Sequence, residues 1–417
     1  METTKPRTNP DTLDVLAWRA FTLEEISAHL KAIMAQCKSR NKEHPIFTSF
    51  LVFRKSFSPV DIYCYLMARF GPPIGMQTFL RKDTSDNLFH WDYNIRSHDA
   101  HVHISGTNRE IHISTSDELD DAHWLELASR LKRDFSRVAA EKKAIQESLE
   151  KWVLFPNHYV EVAALCSSLH SSILTLSRRL KQLRGKAFPL YPPESEREKH
   201  AKVLKKFGHV SQMLYAQSLE LSLLTPVLAE SFVNMAILML CKKSIRENAR
   251  QFEAYIRSNI DVKVFDLPYK CDRFVKQVDS NAPEYKAFKK VMDKRNDTIH
   301  GNISPEKERI EYIYFEKRRP LFAEPGDHLA KYFDSLSRRY DIDRVIADYE
   351  NVHLFFAYVV SLLKPGTGSG FWQLMESRFP GYDVNRQITG VLLPEHITTG
   401  AMQGTRYDDE LNAGNPA

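Results

Sequence analysis

The sequence predicts an α+β N-terminal domain followed by an all-α helical bundle, mostly α overall. Three patterns carry that prediction. Alternating apolar and polar residues flank Gly106-Thr107-Asn108-Arg109, as in a β-hairpin. From Trp124 onward apolar residues recur at alternating spacings of four and three, the period of a helix with one buried face. Beyond the breaker Phe155-Pro156-Asn157 a series of such segments runs to Lys364, as an all-α bundle requires. With 417 residues, 43% of them hydrophobic, the chain has the apolar content for two compact cores.

In chain order, residues 1–11 read as a flexible lead and 12–121 as an α+β domain. Within that domain, a loop at Thr107 and Asn108 sets Val102 opposite Ile113 and Ile104 opposite Ile111, giving one apolar face. His101, His103, Ser105, Glu110, His112 and Ser114 share the other face, with His103 opposite His112. Three histidines on one face admit a transition-metal site, but no Cys or carboxylate nearby has ligand spacing. The preferred reading is a solvated polar face on a half-covered sheet, and no metal is expected.

Trp124, Ala128, Leu131, Phe135, Val138, Ile145, Leu149 and Trp152 predict one long connecting helix over 122–154, with Lys142 as the polar exception on its seam. The bundle is expected over 155–364, with helices near 158–184, 197–224, 226–257, 283–300 and 340–364. Gly185 to Pro193 reads as a loop, Phe265 to Asp279 as a short helical insertion, and Ile310 to Phe322 as a small hairpin or extended excursion. Residues 365–417, opening on Pro365-Gly366-Thr367-Gly368-Ser369-Gly370, read as a mostly disordered tail with one short helix around Phe371 to Phe379.

A formal charge of +5, from 58 basic and 53 acidic residues, is too balanced to announce a nucleic-acid binder, so any basic surface must be local. Cys37, Cys64, Cys166, Cys241 and Cys271 show no CxxC spacing and follow no secretory signal pattern, which reads as reduced thiols in a cytoplasmic protein. The most lipid-like stretch, Leu219 to Cys241, is interrupted by Glu220, Pro226, Glu230 and Asn234. It reads as a buried helix and not as a membrane span.

The helix predicted over 283–300 carries the chemistry. Phe288, Val291, Met292 and Ile299 form its apolar stripe, and Arg295 falls inside that stripe. A guanidinium stays charged, so this position demands an anionic or hydrogen-bonding partner. Asn296 lies at the stripe's edge, with His300 one turn further on, before the expected cap Gly301 and Pro305. In a last helical turn the carbonyl dipoles favour an imidazolium while burial opposes it. A group that both takes and gives a proton near neutrality suits phosphodiester cleavage.

Arg295-Asn296-Asp297-Thr298-Ile299-His300, with Asn after Arg and Gly after His, resembles the motif of the HEPN superfamily. Leu228 to Asn234 resembles that family's preceding core helix, with Glu230 and Asn234 on one face and Thr225 and Pro226 as its N-cap and first-turn residues. The resemblance covers roughly 155–364 and implies a HEPN-like bundle that cuts RNA as a homodimer, without metal or other cofactor. It assigns Arg295 to the scissile phosphate, His300 to proton transfer and Asn296 to orientation, with Glu230 and Asn234 supporting. The implied products carry a 2′,3′-cyclic phosphate and a 5′-hydroxyl. The implied setting is a toxin or an antiviral or stress effector held by an activator or antitoxin, with residues 12–121 as its regulatory or sensor domain. The alternative is a noncatalytic HEPN module that binds a nucleotide or a protein partner.

An RNA surface is expected between Arg178 and Lys206, where ten Lys or Arg face Glu194, Glu196 and Glu198. Arg178, Arg179, Lys181, Arg184, Lys202, Lys205 and Lys206 are the candidate phosphate contacts. The competing reading is the solvated outside of two helices.

Overall fold

The computed structural model describes residues 10–39, 46–75, 86–188, 196–299, 305–306, 309–394 and 406–411. The chain divides into two compact units, residues 1–151 with 392–417, and residues 152–391. Helix dominates, and the larger sheet belongs to the first unit.

The first unit contains helices α1 (Leu23–Ser39), α2 (Pro59–Phe70), α3 (Asp121–Phe135) and α4 (Ala139–Ser148). Its strands are β1 (Arg19–Ala20), β2 (Ser49–Phe53), β3 (Trp91–Ser97), β4 (Ala100–Gly106) and β5 (Ile111–Thr115), in the antiparallel order β1-β3-β4-β5-β2. One face, with Leu51, Phe53, Tyr93, Val102, Ile104 and Ile113, is buried in a cluster with Leu66 of α2 and Trp124 and Leu131 of α3. Local chemistry agrees, since Ser58 caps α2 ahead of Pro59 and Asp120 caps α3.

The hairpin register differs from the expected one by two residues. Val102 pairs with Thr115, Ile104 with Ile113 and Gly106 with Ile111. The connection is the four residues Thr107 to Glu110, closed by the Thr107 amide donating to the Glu110 carbonyl at 2.9 Å. A slip of two keeps each residue on its face, so the apolar side survives while His103 now faces Ser114 and His112 faces Ser105.

The polar face is not solvated. His101 is 6% exposed and lies against the rings of Phe21, Phe47 and His29 at 4.5, 4.8 and 4.4 Å. Strand β3 supplies partners that the hairpin alone could not reveal. Asn94 Oδ1 lies 3.0 Å from His101 Nε2, and Asp92 Oδ2 lies 3.2 Å from His103 Nε2. Burial, helped by His29 and His103, pushes the His101 imidazole down to about 3.

The long connecting helix over 122–154 is broken. Helix α3 stops at Phe135, α4 starts at Ala139, and Trp152 begins strand β6 (Trp152–Leu154). The break is held by Asp134, which accepts from Tyr65 at 2.7 Å, Arg69 at 3.1 Å and Arg137 at 2.8 Å. Lys142, the seam exception, reaches back to Asp61 on α2 at 2.6 Å and lies over the Phe135 ring.

The second unit holds α5 (His158–Ala187), α6 (Arg197–Leu240), α7 (Lys243–Arg246), α8 (Ala249–Ile256), α9 (Ile260–Lys270) and α10 (Pro283–Ile299). The hairpin β7 (Ile313–Glu316) and β8 (Arg319–Phe322) precedes α11 (His328–Tyr340), α12 (Ile342–Ser361) and α13 (Gly368–Met375). Strands β9 (Gly381–Asp383) and β10 (Ile388–Gly390) complete a three-stranded sheet in the order β10-β9-β6. The core centres on α6, with Phe232 stacked on Phe356 at 4.1 Å and Phe288 of α10 on Phe355 at 3.9 Å.

Pro226 lies inside α6, so the expected boundary at 224–226 is absent. Thr225 does not cap a new helix, because its hydroxyl donates to the Leu221 carbonyl at 2.7 Å. Burial of Leu221, Leu228, Ala229, Phe232 and Val233 on both sides outweighs the missing amide, whose cost is about 3 kcal/mol. Helix α6 ends instead at Leu240, and the next residue, Cys241, faces Cys271 across a short antiparallel bridge. The helix expected over 340–364 is α12, and a further helix, α11, precedes it across Asp341, whose φ of 39° turns the corner.

The tail is ordered well beyond Lys364. The Asn157 side chain donates to the carbonyls of Met375 at 2.7 Å and Ser377 at 3.0 Å, while Phe371 and Met375 are buried in the bundle core. Residues 406–411 belong to the first unit, where Tyr407 bridges Val52 and Asp408 accepts from the amides of Arg54 and Ser56. Residues 1–9 lie outside the described residues. By length and composition α5 and α6 are apolar enough to cross a membrane, yet the C-terminal half of α6 forms the centre of the bundle core.

Candidate active site

Three helices bring charged groups together at one point of the second unit. Helix α6 contributes Glu230 and Asn234, one turn apart; α10 contributes Arg295; and α9 contributes Lys263, which the motif reading missed. Arg295 Nη1 lies 3.7 Å from Glu230 Oε2, and each side chain is 35% exposed. Lys263 Nζ donates to Glu230 Oε1 at 3.1 Å and to Asn234 Oδ1 at 3.0 Å, and this ammonium is only 2% exposed. The two cations thus take different oxygens of one carboxylate.

The arrangement follows from packing. Lys263 stands three residues after Ile260 and four before Leu267, on the face that turns Leu267 into the core. A lysine there points at α6 and must find an anion. That placement on an otherwise apolar face was the signal available in the sequence. Arg295 lies beyond the buried Phe288, Val291 and Met292, where the stripe leaves the core and opens onto a cavity. Tyr285 of α10 packs on Phe265 of α9 at 5.0 Å while Arg295 meets Glu230, so α10 runs antiparallel to α6.

The cavity, of about 470 Å³, is lined by Glu230, Lys289, Met292, Asp293 and Arg295, with Tyr285 and Phe288, and by Arg257 to Asp261. Its chemical consequence is electrostatic. Glu230 alone would neutralise Arg295, but Lys263 offsets that carboxylate from behind, so the trio carries one net positive charge, and the guanidinium, exposed to the same 35% as Glu230, faces the cavity. Such a group can receive an anion in bidentate fashion.

His300 lies outside the described residues, as do the side chains of Asn296 to Ile299, whose backbone closes α10. Arg178, Arg179, Lys181 and Arg184 on α5 and Lys202, Lys205 and Lys206 on α6 are all exposed. Lys206 and Glu230 are 24 residues apart on one helix, about 36 Å along its axis. The basic run is therefore not part of the Arg295 cavity. Among the described residues no group of three or more His, Cys, Asp or Glu side chains is placed to hold a metal ion.

No family model matches the chain, and no match is found among curated proteins or solved structures.

Proposed function

We propose that the protein is a metal-independent endoribonuclease of the HEPN type, acting as a cytoplasmic homodimer in toxin, antiviral or stress defence. The observation that carries this reading is Arg295, held by Glu230 at the rim of an open cavity with its charge left available by Lys263. In the proposed reaction the ribose 2′-hydroxyl attacks the adjacent phosphorus and the bond from phosphorus to the 5′-oxygen breaks. Arg295 stabilises charge on the nonbridging oxygens. His300 moves the proton from the 2′-hydroxyl or to the leaving 5′-oxygen, and Asn296 orients it. The products are a 2′,3′-cyclic phosphate and a 5′-hydroxyl. An activator or antitoxin then governs when the site works.

The test is incubation of the purified protein with end-labelled single-stranded RNA in EDTA. Cleavage to cyclic-phosphate ends, abolished by His300→Ala and by Arg295→Ala in folded protein, is expected. Cleavage that needs added divalent metal, or that survives both substitutions, overturns the reading.

A further inference from the structure

The hairpin β7–β8 is exposed along every residue of both strands. Tyr314, Phe315 and Phe322 are 63%, 66% and 60% exposed. The pairing sets Ile313 beside Phe322 and Phe315 beside Pro320 on one face, and Tyr314 beside Leu321 on the other. A lone two-stranded hairpin is marginal in water, and large apolar side chains exposed on both of its faces mark a binding surface.

Cations interleave with these rings. The turn is Lys317-Arg318, followed by Arg319, and Lys317 has φ 59°, a backbone setting where glycine is usual. Arg309 lies over the Tyr312 ring at 4.7 Å. Aromatic faces that accept bases, set among guanidinium and ammonium groups that accept phosphates, are the elements of a single-strand reader.

The hairpin is fixed to the bundle at a defined place. Glu311 accepts from Lys331 of α11 at 2.9 Å, and Arg338 of α11 donates to the Arg309 carbonyl at 3.2 Å. Helix α11 in turn meets the basic run, through Asp334 with Arg184 at 2.6 Å and Phe333 against Phe188 and Phe207. Hairpin and basic run therefore stand at the same end of the bundle.

We propose that the hairpin β7–β8, together with the basic run of α5 and α6, is a docking surface for single-stranded nucleic acid, with bases on Tyr314, Phe315 and Phe322 and phosphates on Lys317, Arg318 and Arg319. Three successive cations at the tip favour a polyanion over a second copy of the chain. That the strand is RNA and not DNA rests on the ribonuclease reading. A substrate reaching from the basic run to the Arg295 cavity spans about ten nucleotides at the duplex rise per strand.

Binding is measured by fluorescence anisotropy on the full chain carrying His300→Ala, with labelled 20-mers of uridylate and of thymidylate. Joint Tyr314→Ala, Phe315→Ala and Phe322→Ala substitution is expected to raise the Kd for the RNA at least tenfold, with unchanged circular dichroism. Phe322→Tyr is expected to retain binding, which separates stacking from folding. Lys317→Ala with Arg318→Ala is expected to flatten the salt dependence. An unchanged Kd in the aromatic variant overturns the surface. So does a fall in molar mass by light scattering in that variant, since the hairpin would then join two copies. Thymidylate bound in preference to uridylate overturns the choice of RNA. Hairpin-dependent binding by a wild-type protein that cuts RNA only with added divalent metal would sink the ribonuclease reading and leave the surface standing. Cleavage that ignores the hairpin would do the reverse.

Discussion

Lys263 donates to Glu230 at 3.1 Å from inside the bundle, on the carboxylate oxygen that Arg295 does not face. The pair sets how much of the Arg295 charge reaches the cavity. Replacing Lys263 with Met keeps the apolar stem and removes the offsetting charge, so Glu230 turns wholly toward Arg295. Cleavage is expected to fall roughly 10- to 100-fold in kcat/KM. Stability should drop by about 1–3 kcal/mol, moderated because water reaches Glu230. Urea denaturation and single-turnover kinetics on the same samples check this. A stability loss with unchanged cleavage would assign Lys263 to folding alone.

Arg295→Lys tests geometry against charge. The ammonium keeps the sign but lacks the planar pair of donors, so transition-state stabilisation is expected to fall by ~10²-fold or more. The fold should be untouched, because the side chain is 35% exposed and its ion pair with Glu230 is 3.7 Å long. Equal rates for the two residues would mean that Arg295 acts only as a point charge.

The first unit should weaken in mild acid. Burial, with His29 and His103 beside it, holds His101 at about 3 against an ordinary 6.5. The unfolded chain therefore binds a proton that the folded chain refuses between those values. Stability is full above about 6.5 and declines as pH falls, by about 1.4 kcal/mol per pH unit for this one group. Burial also depresses His29 and His112, with the same sign. Urea midpoints from pH 7 to 5 should show the decline, and His101→Gln should remove about one proton from its slope. A slope that stays the same in the variant would remove His101 from the explanation.

The buried thiols should resist alkylation. Burial raises Cys166 and Cys271 to about 12 and pushes Cys64 and Cys241 up as well. At pH 8 the native protein is expected to leave these four unlabelled by iodoacetamide, with full labelling in urea, read by peptide mass spectrometry. Rapid native labelling of Cys241 and Cys271 would mean that the bundle core opens readily.

Of the candidate site, the part that Glu230, Asn234 and Arg295 form could be anticipated because these residues follow a helical period. Glu230 and Asn234 are one turn apart, and a guanidinium in an apolar stripe had to meet an anion; the carboxylate it meets is Glu230. Lys263 escaped notice because its partners are separated from it by about thirty residues of chain, and helical periodicity says nothing about which helix packs where. The small hairpin around 313–322 was legible from local alternation. Longer-range effects were not. Tertiary burial carried α6 through Pro226, a carboxylate hub at Asp134 interrupted a run that reads as continuous helix, and partners on β3 filled what looks like a wet face. The ordered segment after Lys364 depends on Asn157, more than two hundred residues earlier, which no local pattern records.

The three-stranded sheet sets the topology of the chain. Strand β6, where the second unit begins, and strand β10, near where it ends, both flank β9, so entry and exit lie about 10 Å apart. The second unit is thus a guest inserted in a host, with its doorway closed by one ribbon. Residues 152–391 should be excisable as a self-standing piece, whereas deleting 392–417 strips the host of its Asp408 contacts and leaves the guest's seam intact.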